Sequence, residues 1–483
     1  MARSKARVYG CCTLMLLCVV TAIVLIAVLG RHTCPDNTFS KAAVAADSKK
    51  CSEIGRDILQ KGGSAVDGAI AALLCTSVMN PQSMGIGGGS IFTVMDSSGN
   101  VKIINSRETV PQTFKTDLLN SCPKTFQMTS GADWIGVPGE LRGYQTAHKI
   151  YGKLPWATLF EPTIQLAKKG FPIPLIQGGT LTMQDLAAYR VSVTDAWAVP
   201  LGEYQMYIPP PPAGGIILSL VLNIMKGYGL TSASLTGGEK TLAYHHYIEA
   251  LKFANGIKKH IKDPQFSSAE MAKKFTEDSF ANNIRSLISD DRTLGPQYYN
   301  ITPHRDSMGT THVSVLAEDG SAVSVTSTIN HIFGSKIFSP RTGVILNNEL
   351  FDFCGRVDNI FPGEQPPSSM APAVLKSRSK MLVIGSSGGS MITTGIASAL
   401  MNHVWFGKSL KEAIAAPVVF VDSQNAAKFE PKFDKDVIKA LKEMGHKQEI
   451  AKHFYNVVNA VGKEDGCICA VSDARKLGEA AGY

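Results

Sequence analysis

The feature that most restricts how this chain can fold is a hairpin signature that starts just after Gly309-Thr310. His312-Val-Ser-Val-Leu-Ala317 and Ala322-Val-Ser-Val-Thr-Ser-Thr328 alternate apolar and polar residues on either side of Asp319-Gly320. Asp-Gly between two alternating runs is the strongest short-range hairpin signal. A two-residue loop sets Thr310 opposite Ile329 and Thr311 opposite Thr328, whereas a single bulge moves Thr310 onto Thr328. Either register makes Thr310, Thr328 and Asn330 neighbours. A strained turn at Gly309 would let the Thr310 hydroxyl attack the Gly309 carbonyl and turn the amide into an ester that water cleaves. The new chain would begin at Thr310, whose free α-amine, with a reference pKa of about 7.7 to 8.0, can act as base for its own hydroxyl. A Gly-Thr pair also opens many hairpins that do no chemistry, so the pair needs support from elsewhere in the chain.

Residues Val8 to Leu29 carry no charge. As a helix they would reach about 33 Å, enough to cross a bilayer. Arg3, Lys5 and Arg7 precede the run and only Arg31 follows closely, so the predicted topology keeps residues 1–7 in the cytoplasm and exports the rest on an uncleaved anchor, a cell-membrane protein of single-pass type II. A removable signal peptide is the alternative, and it exports the same body. Outside the cell Cys34, Cys51, Cys75, Cys122, Cys354, Cys467 and Cys469 can form disulfides. The number is odd, so at least one stays free or pairs elsewhere. Cys51 and Cys75 bracket two helices around a Gly62-Gly63 break, the second capped by Ser64, and are predicted to pair. Asn300-Ile-Thr302 is the single glycosylation sequon. No Cys or His set has zinc spacing, and no metal or other cofactor is expected.

With 44% apolar and 18% charged residues the exported body is a folded globular chain, and a net charge of +8 without a basic, aromatic-interleaved stripe argues against nucleic acid as a partner. Gly85-Ile-Gly-Gly-Gly89 lacks the spacing of a dinucleotide fingerprint and reads as a place of close backbone packing. Pro209 to Pro212 with Gly214-Gly215 joins a strand (203–208) to an apolar helix (216–225), an amphipathic helix is predicted over 243–262, and residues 263–308 read as loop.

The segment Gly309-Thr-Thr-His-Val-Ser-Val-Leu-Ala-Glu-Asp-Gly-Ser-Ala-Val-Ser-Val-Thr-Ser-Thr-Ile-Asn330 closely resembles the processing and active-site region of the gamma-glutamyltransferases. Asn347-Asn-Glu-Leu-Phe-Asp352, Pro367-Ser-Ser-Met370, Gly385-Ser-Ser-Gly-Gly389 and Ser472 to Tyr483 resemble the other small-subunit motifs of that family. Ala42 to Asp47, Gly62 to Asp67, Asn105-Ser-Arg-Glu108 and Val137 to Gly143 resemble its large-subunit motifs. Ser83 to Gly89 and Pro209 to Gly215 look nearest to the leukotriene C4-cleaving branch.

The resemblance implies an α+β fold, an N-terminal-nucleophile hydrolase with an αββα sandwich behind the single transmembrane helix of residues 8–29. It divides the body into a large fragment, 38–309, and a small catalytic fragment, 310–483, which stay together as a heterodimer after cleavage between Gly309 and Thr310. It implies that Thr310 is the nucleophile, that Thr328 orients it, and that the Gly388 and Gly389 amides form an oxyanion hole. Arg107, Ser368 and Ser369 would hold the α-carboxylate of a glutamyl group, and Asn330, Glu349 and Asp352 its α-amine. The implied substrates are glutathione, its conjugates and acceptor amino acids or dipeptides. After Gly170-Phe-Pro172 the family continues for several dozen residues that this chain lacks, and the loop between Asp352 and Pro367 is short as well.

Two other readings remain open. Gly385-Ser-Ser-Gly-Gly389 also fits a nucleophile elbow with Ser387 as nucleophile, completed by Asp422 and His446 or His453. Alternatively, the shortened large fragment leaves an unprocessed, non-catalytic surface protein.

Overall fold

The computed structural model describes residues 38–123, 131–168, 183–301, 309–450 and 456–483, together with Met15 and residues 19–21. The predicted span at 8–29 therefore lies outside the described residues except for those four, which are helical. Among the described residues no helix is long and apolar enough to cross a membrane.

Two sheets stack face to face. The first runs, in spatial order, Ala481–Gly482, Ala43–Ala45, Thr311–Leu316, Ala322–Thr328, Gly89–Met95, Val101–Ser106 and Ser192–Asp195. The second runs Cys467–Val471, Val457–Glu464, Met381–Ser387, Ala373–Lys376, Tyr204–Ile208 and Trp197–Leu201. Every pair within both sheets is antiparallel. Small and β-branched side chains such as Ala43, Ala45, Ala322, Val374, Val383 and Val461 fill the space between them. Helices Lys49–Gln60, Ala65–Met79 and Glu140–Tyr151 pack on the outer face of the first sheet, where Ile70, Leu73, Phe92 and Val313 are fully buried. Helices Gly215–Lys226, Gly237–Ile257 and Ile392–Leu400 cover the second. The order is helix, sheet, sheet, helix. Each sheet contains strands from both sides of the 309/310 bond, so neither fragment owns a complete core.

Local signals account for several of these elements. Ser64 and Asp67 form a reciprocal capping box at the start of Ala65–Met79, and Cys51 and Cys75 are joined across the helix pair as expected. The hairpin adopts the bulged register: Thr311 faces Ser327, Ala317 closes on Ser321, and Gly320 takes φ +80° in a three-residue loop. That register sets Thr310 against Thr328. The expected packing role of the glycine run holds for its last three members. A Cβ at Gly87 would lie 2.1 Å from Ile345 O, one at Gly88 2.0 Å from Thr328 O, and one at Gly89 2.5 Å from Ser106 O.

Other expectations need correction. The helix read at 243–262 spans Gly237–Ile257, because a turn at Lys258–His260 ends it. Residues 263–301 are not simply loop: helices Glu270–Lys274 and Asp278–Leu287 lie there, short amphipathic segments held by the large core through Ala272, Phe275, Ala281 and Ile284. The nucleophile elbow fails on topology. Met381–Ser387 is antiparallel to both neighbours, not the parallel strand such an elbow requires. Ser387 Oγ is buried without a hydrogen-bond partner, His446 bonds to His245 and Lys252, and Asp422 caps its own turn and pairs with Lys428. His453 lies outside the described residues.

Candidate active site

Thr310 is 4% exposed and sits at φ +86°. For a β-branched residue this is a true backbone outlier, the kind of strain that costs about 1 to 3 kcal/mol and survives only where the surroundings over-determine it. They do so here from both sides. Thr310 N donates to Ser83 O at 3.1 Å, and Gly388 N donates to Gly309 O at 3.0 Å. Gly309 itself takes φ +152° and lies so close to the strand end that a Cβ would meet Asn330 O at 1.9 Å. Beyond the nucleophile, Lys476 Nζ donates to Thr310 O at 2.9 Å and to Asp47 Oδ2 at 2.5 Å. Asp47, fully enclosed, also receives Thr311 Oγ1 and, at 2.8 Å, Asn459 Nδ2. The peptide units before and after Thr310 are both fixed.

The Thr310 hydroxyl donates to Thr328 Oγ1 at 3.2 Å, and Thr328 Oγ1 accepts the Asn330 amide at 2.8 Å. His312, two residues on, bonds to Thr326 and Ser314, and burial pushes its pKa down to about 3. It is neutral and engaged, so it is no base for Thr310. The amide of Gly388 stands on the oxygen of the bond that would break. Gly388 and Gly389, at φ +126° and +58°, form the turn that leads into Ile392–Leu400.

A second set of groups continues from Asn330, whose Nδ2 donates to Asp352 Oδ1 at 3.0 Å. Arg107 is 1% exposed and every arm of its guanidinium is engaged. Nη1 donates to Glu349 Oε1 at 2.6 Å, Nη2 to Asp352 Oδ2 and Pro367 O at 2.7 Å, and Nε to Pro366 O at 2.7 Å. The expected carboxylate-binding and amine-binding residues thus hold each other. Burial pushes Glu349 up to about 7 against the pull of Arg107, and raises Asp352 as well.

Ser368 and Ser369 are half-buried on a loop braced by the proline turn, through Ser368 N to Pro212 O and Gly214 N to Met370 O, both 2.8 Å. With Asp352, Phe351 and Ser390 they floor a cavity of about 460 Å³ whose walls include Lys258 to Lys262, Met271 and Cys354. Asn300 is exposed in a left-handed turn, its side chain accepting from Lys259, while Thr302 of the sequon lies outside the described residues.

Sequence reasoning gave no role to Lys476, Asp47 or Glu108, although all three lie in motifs it had marked. Glu108 is fully enclosed, and burial followed by the nearby Glu349 carboxylate holds its pKa well above the ordinary range. It also missed the one three-member group with metal-ligand chemistry among the described residues, His245, Glu249 and His446. There Lys252 Nζ stands 3.1 Å from Glu249 Oε1 and 3.0 Å from His446 Nδ1, so an ammonium already supplies the positive charge.

The model of the family described as Gamma-glutamyltranspeptidase matches residues 51–177 and 175–483. Among curated proteins the chain is 42% identical to the glutathione hydrolase 5 proenzyme of Rattus norvegicus, over 95% of this chain and 96% of that one. It is 31% identical to scoloptoxin SSD14 of Scolopendra dehaani, over 92% of each. Among solved structures, cephalosporin acylase from Bacillus halodurans superimposes with a TM-score of 0.82 at 21% identity, over 94% of this chain and 97% of that one, a likeness of fold.

Proposed function

Because the chain belongs to the gamma-glutamyltranspeptidase family, we propose that it is a self-processing glutathione hydrolase that breaks its own Gly309–Thr310 bond and then carries γ-glutamyl groups on Thr310. The observation that carries this reading is the strained Thr310 with Gly388 N–H on the carbonyl before it. In the precursor Thr310 Oγ1 attacks the Gly309 carbonyl carbon and the Gly388 amide receives the negative charge on oxygen. Nitrogen leaves as the Thr310 amine, and water hydrolyses the resulting ester.

In the mature enzyme that amine takes the hydroxyl proton, Thr310 attacks the γ-carbonyl of the donor, and the Gly388 and Gly389 amides again receive the oxyanion. Thr328 orients the hydroxyl. The cysteinylglycine amine departs with the proton, and water or an acceptor amino acid or dipeptide resolves the ester. The donor's α-carboxylate replaces the acidic partners of Arg107 and meets Ser368 and Ser369, while its α-ammonium takes Glu349, Asp352 and Asn330. The insertion exchanges one set of ion pairs for another and leaves no charge unpaired. Leukotriene C4 belongs to the proposed donors, and residues 8–29 to the proposed membrane anchor of an exported body, consistent with its disulfides.

N-terminal sequencing of the purified chain tests the core of this reading: a fragment beginning at Thr310 is expected together with glutamate release from glutathione. An undivided chain that still releases glutamate would overturn it, and an undivided chain without activity would establish the non-catalytic alternative.

The raised Glu349 supplies a pH signature. Its proton is held at higher pH in the folded chain than the unfolded value of 4.5, so the stability this proton confers is complete below about 4.5 and lost as pH rises through about 7. The donor's ammonium requires the ionised form. KM for a γ-glutamyl donor is therefore expected to rise as pH falls below about 7, and Glu349→Gln should flatten that limb of the profile while leaving the limb set by the Thr310 amine.

A further inference from the structure

Cys122 and Cys354 are joined, 232 residues apart and on opposite sides of the 309/310 bond. The bond fastens Leu118–Ser121 of the large fragment to Glu349–Phe353 of the small one, inside an apolar cluster of Val110, Leu118, Trp134, Leu350, Phe351 and Phe353. Glu349–Phe353 is the turn that carries Glu349 and Asp352. Cys354 ends it, with its amide on Phe351 O at 2.9 Å, and is separated from Asp352 by one residue.

The Cys51–Cys75 and Cys122–Cys354 disulfides differ in access. Cys51 and Cys75 are fully buried, whereas Cys122 is half-buried and Cys354, 5% exposed, lines the cavity that opens beside Asp352, Ser368 and Ser369. On the proposed function, that cavity adjoins the groups that hold the donor's glutamyl end, Asp352, Ser368 and Ser369. Thiolate attack on a disulfide needs an open approach to one sulfur and a stable leaving thiolate on the other. The cavity leads a thiol to the wall that Cys354 forms, and solvent at the half-buried Cys122 offers the second.

We propose that the Cys122–Cys354 disulfide is a thiol-exchange site, opened by low-molecular-weight thiols entering the cavity beside Asp352, and that it positions the amine-binding turn. The incoming thiolate bonds to Cys354 Sγ, the S–S pair leaves on Cys122, and Cys122 takes a proton from water. A second thiol regenerates Cys354 and leaves as the external disulfide. Opening the bond frees the end of the turn that holds Asp352, so donor binding weakens while chemistry at Thr310 persists. Cys354 is a positioning residue.

The site part of this inference is tested without reference to activity. The full chain is treated with millimolar cysteinylglycine and mapped unreduced by mass spectrometry. The untreated map should contain the Cys122 and Cys354 peptides linked, and the treated one a cysteinylglycine adduct on Cys354 while Cys51–Cys75 stays linked. A map with the two peptides separate before treatment, or with the bond untouched at that concentration, overturns it. If the chain proves inactive, the adduct still forms and only the proposed function fails. Gel mobility is no substitute, because Cys467 is also disulfide-bonded.

The positioning part is read on a chromogenic γ-glutamyl anilide. Treatment of the native chain with 2-mercaptoethanol should raise KM about five- to tenfold with kcat changed less than about twofold, and Cys122→Ser/Cys354→Ser should show the raised KM untreated and no response to the thiol. An unchanged KM in native protein whose map shows the bond open overturns it, whether or not the double variant folds.

Discussion

Replacing Thr310 by alanine is expected to leave one undivided chain of full length and to lower glutamate release from glutathione by at least about 10⁴-fold, since no other nucleophile is poised at the site. The two losses share a cause. The hydroxyl that attacks the Gly309 carbonyl in the precursor is the one that attacks the donor later, and neither step has a substitute among the neighbours: Thr328 Oγ1 is occupied by the Asn330 amide and His312 by Thr326 and Ser314. Thr310→Ser should mature, but slowly. Serine keeps the oxygen and lacks the methyl group that fixes the threonine rotamer, and it is less strained at φ +86°. A denaturing gel over time reads maturation, and glutamate release per matured fragment reads turnover. If Thr310→Ala still divides at 309/310, strain and the Gly388 amide act with another nucleophile and the mechanism above is wrong.

What the sequence made legible was local or carried by motif. The capping box at Ser64 and Asp67, the Cys51–Cys75 pair and the hairpin at Asp319-Gly320 each arise from residues within one or two elements, where spacing and turn chemistry leave few alternatives. The bulged register was one of two open choices, decided by the three-residue loop that Gly320 allows. The sandwich followed from resemblance, because strand and helix patterns alone do not say which strands pair across a bond that later breaks. Long-range electrostatics were illegible for a different reason. Nothing in Asn105-Ser-Arg-Glu108 says that its arginine meets carboxylates 242 and 245 residues away, or that Glu108 is enclosed beside one of them. The Cys122–Cys354 bond, 232 residues long in sequence, was hidden among many possible pairings in an odd set of cysteines. The short helices of 263–301 were missed because segments of five to ten residues depend on the surface they pack against more than on their own periodicity.

Arg107→Lys is expected to raise KM for γ-glutamyl donors by about 10² to 10³-fold with a much smaller fall in kcat, because it removes planar, bidentate recognition of the α-carboxylate and leaves Thr310 and the Gly388 amide in place. The charge is kept so that Glu349 and Asp352 do not lose their counter-ion. Arg107→Met tests that point separately. It strands the buried Glu349 carboxylate and the partly buried Asp352 carboxylate, 2.6 and 2.7 Å from the lost nitrogens, and breaking a buried pair such as Arg107–Glu349 typically costs about 3 to 5 kcal/mol. That variant should therefore fall in thermal midpoint as well as in binding, while Arg107→Met/Glu349→Gln should regain part of the midpoint and none of the affinity. Thermal melts and initial rates on the same preparations separate the two effects. A rise in KM without any loss of stability in Arg107→Met would mean that the acids are neutral before substrate arrives, and that the exchange of ion pairs on binding does not occur.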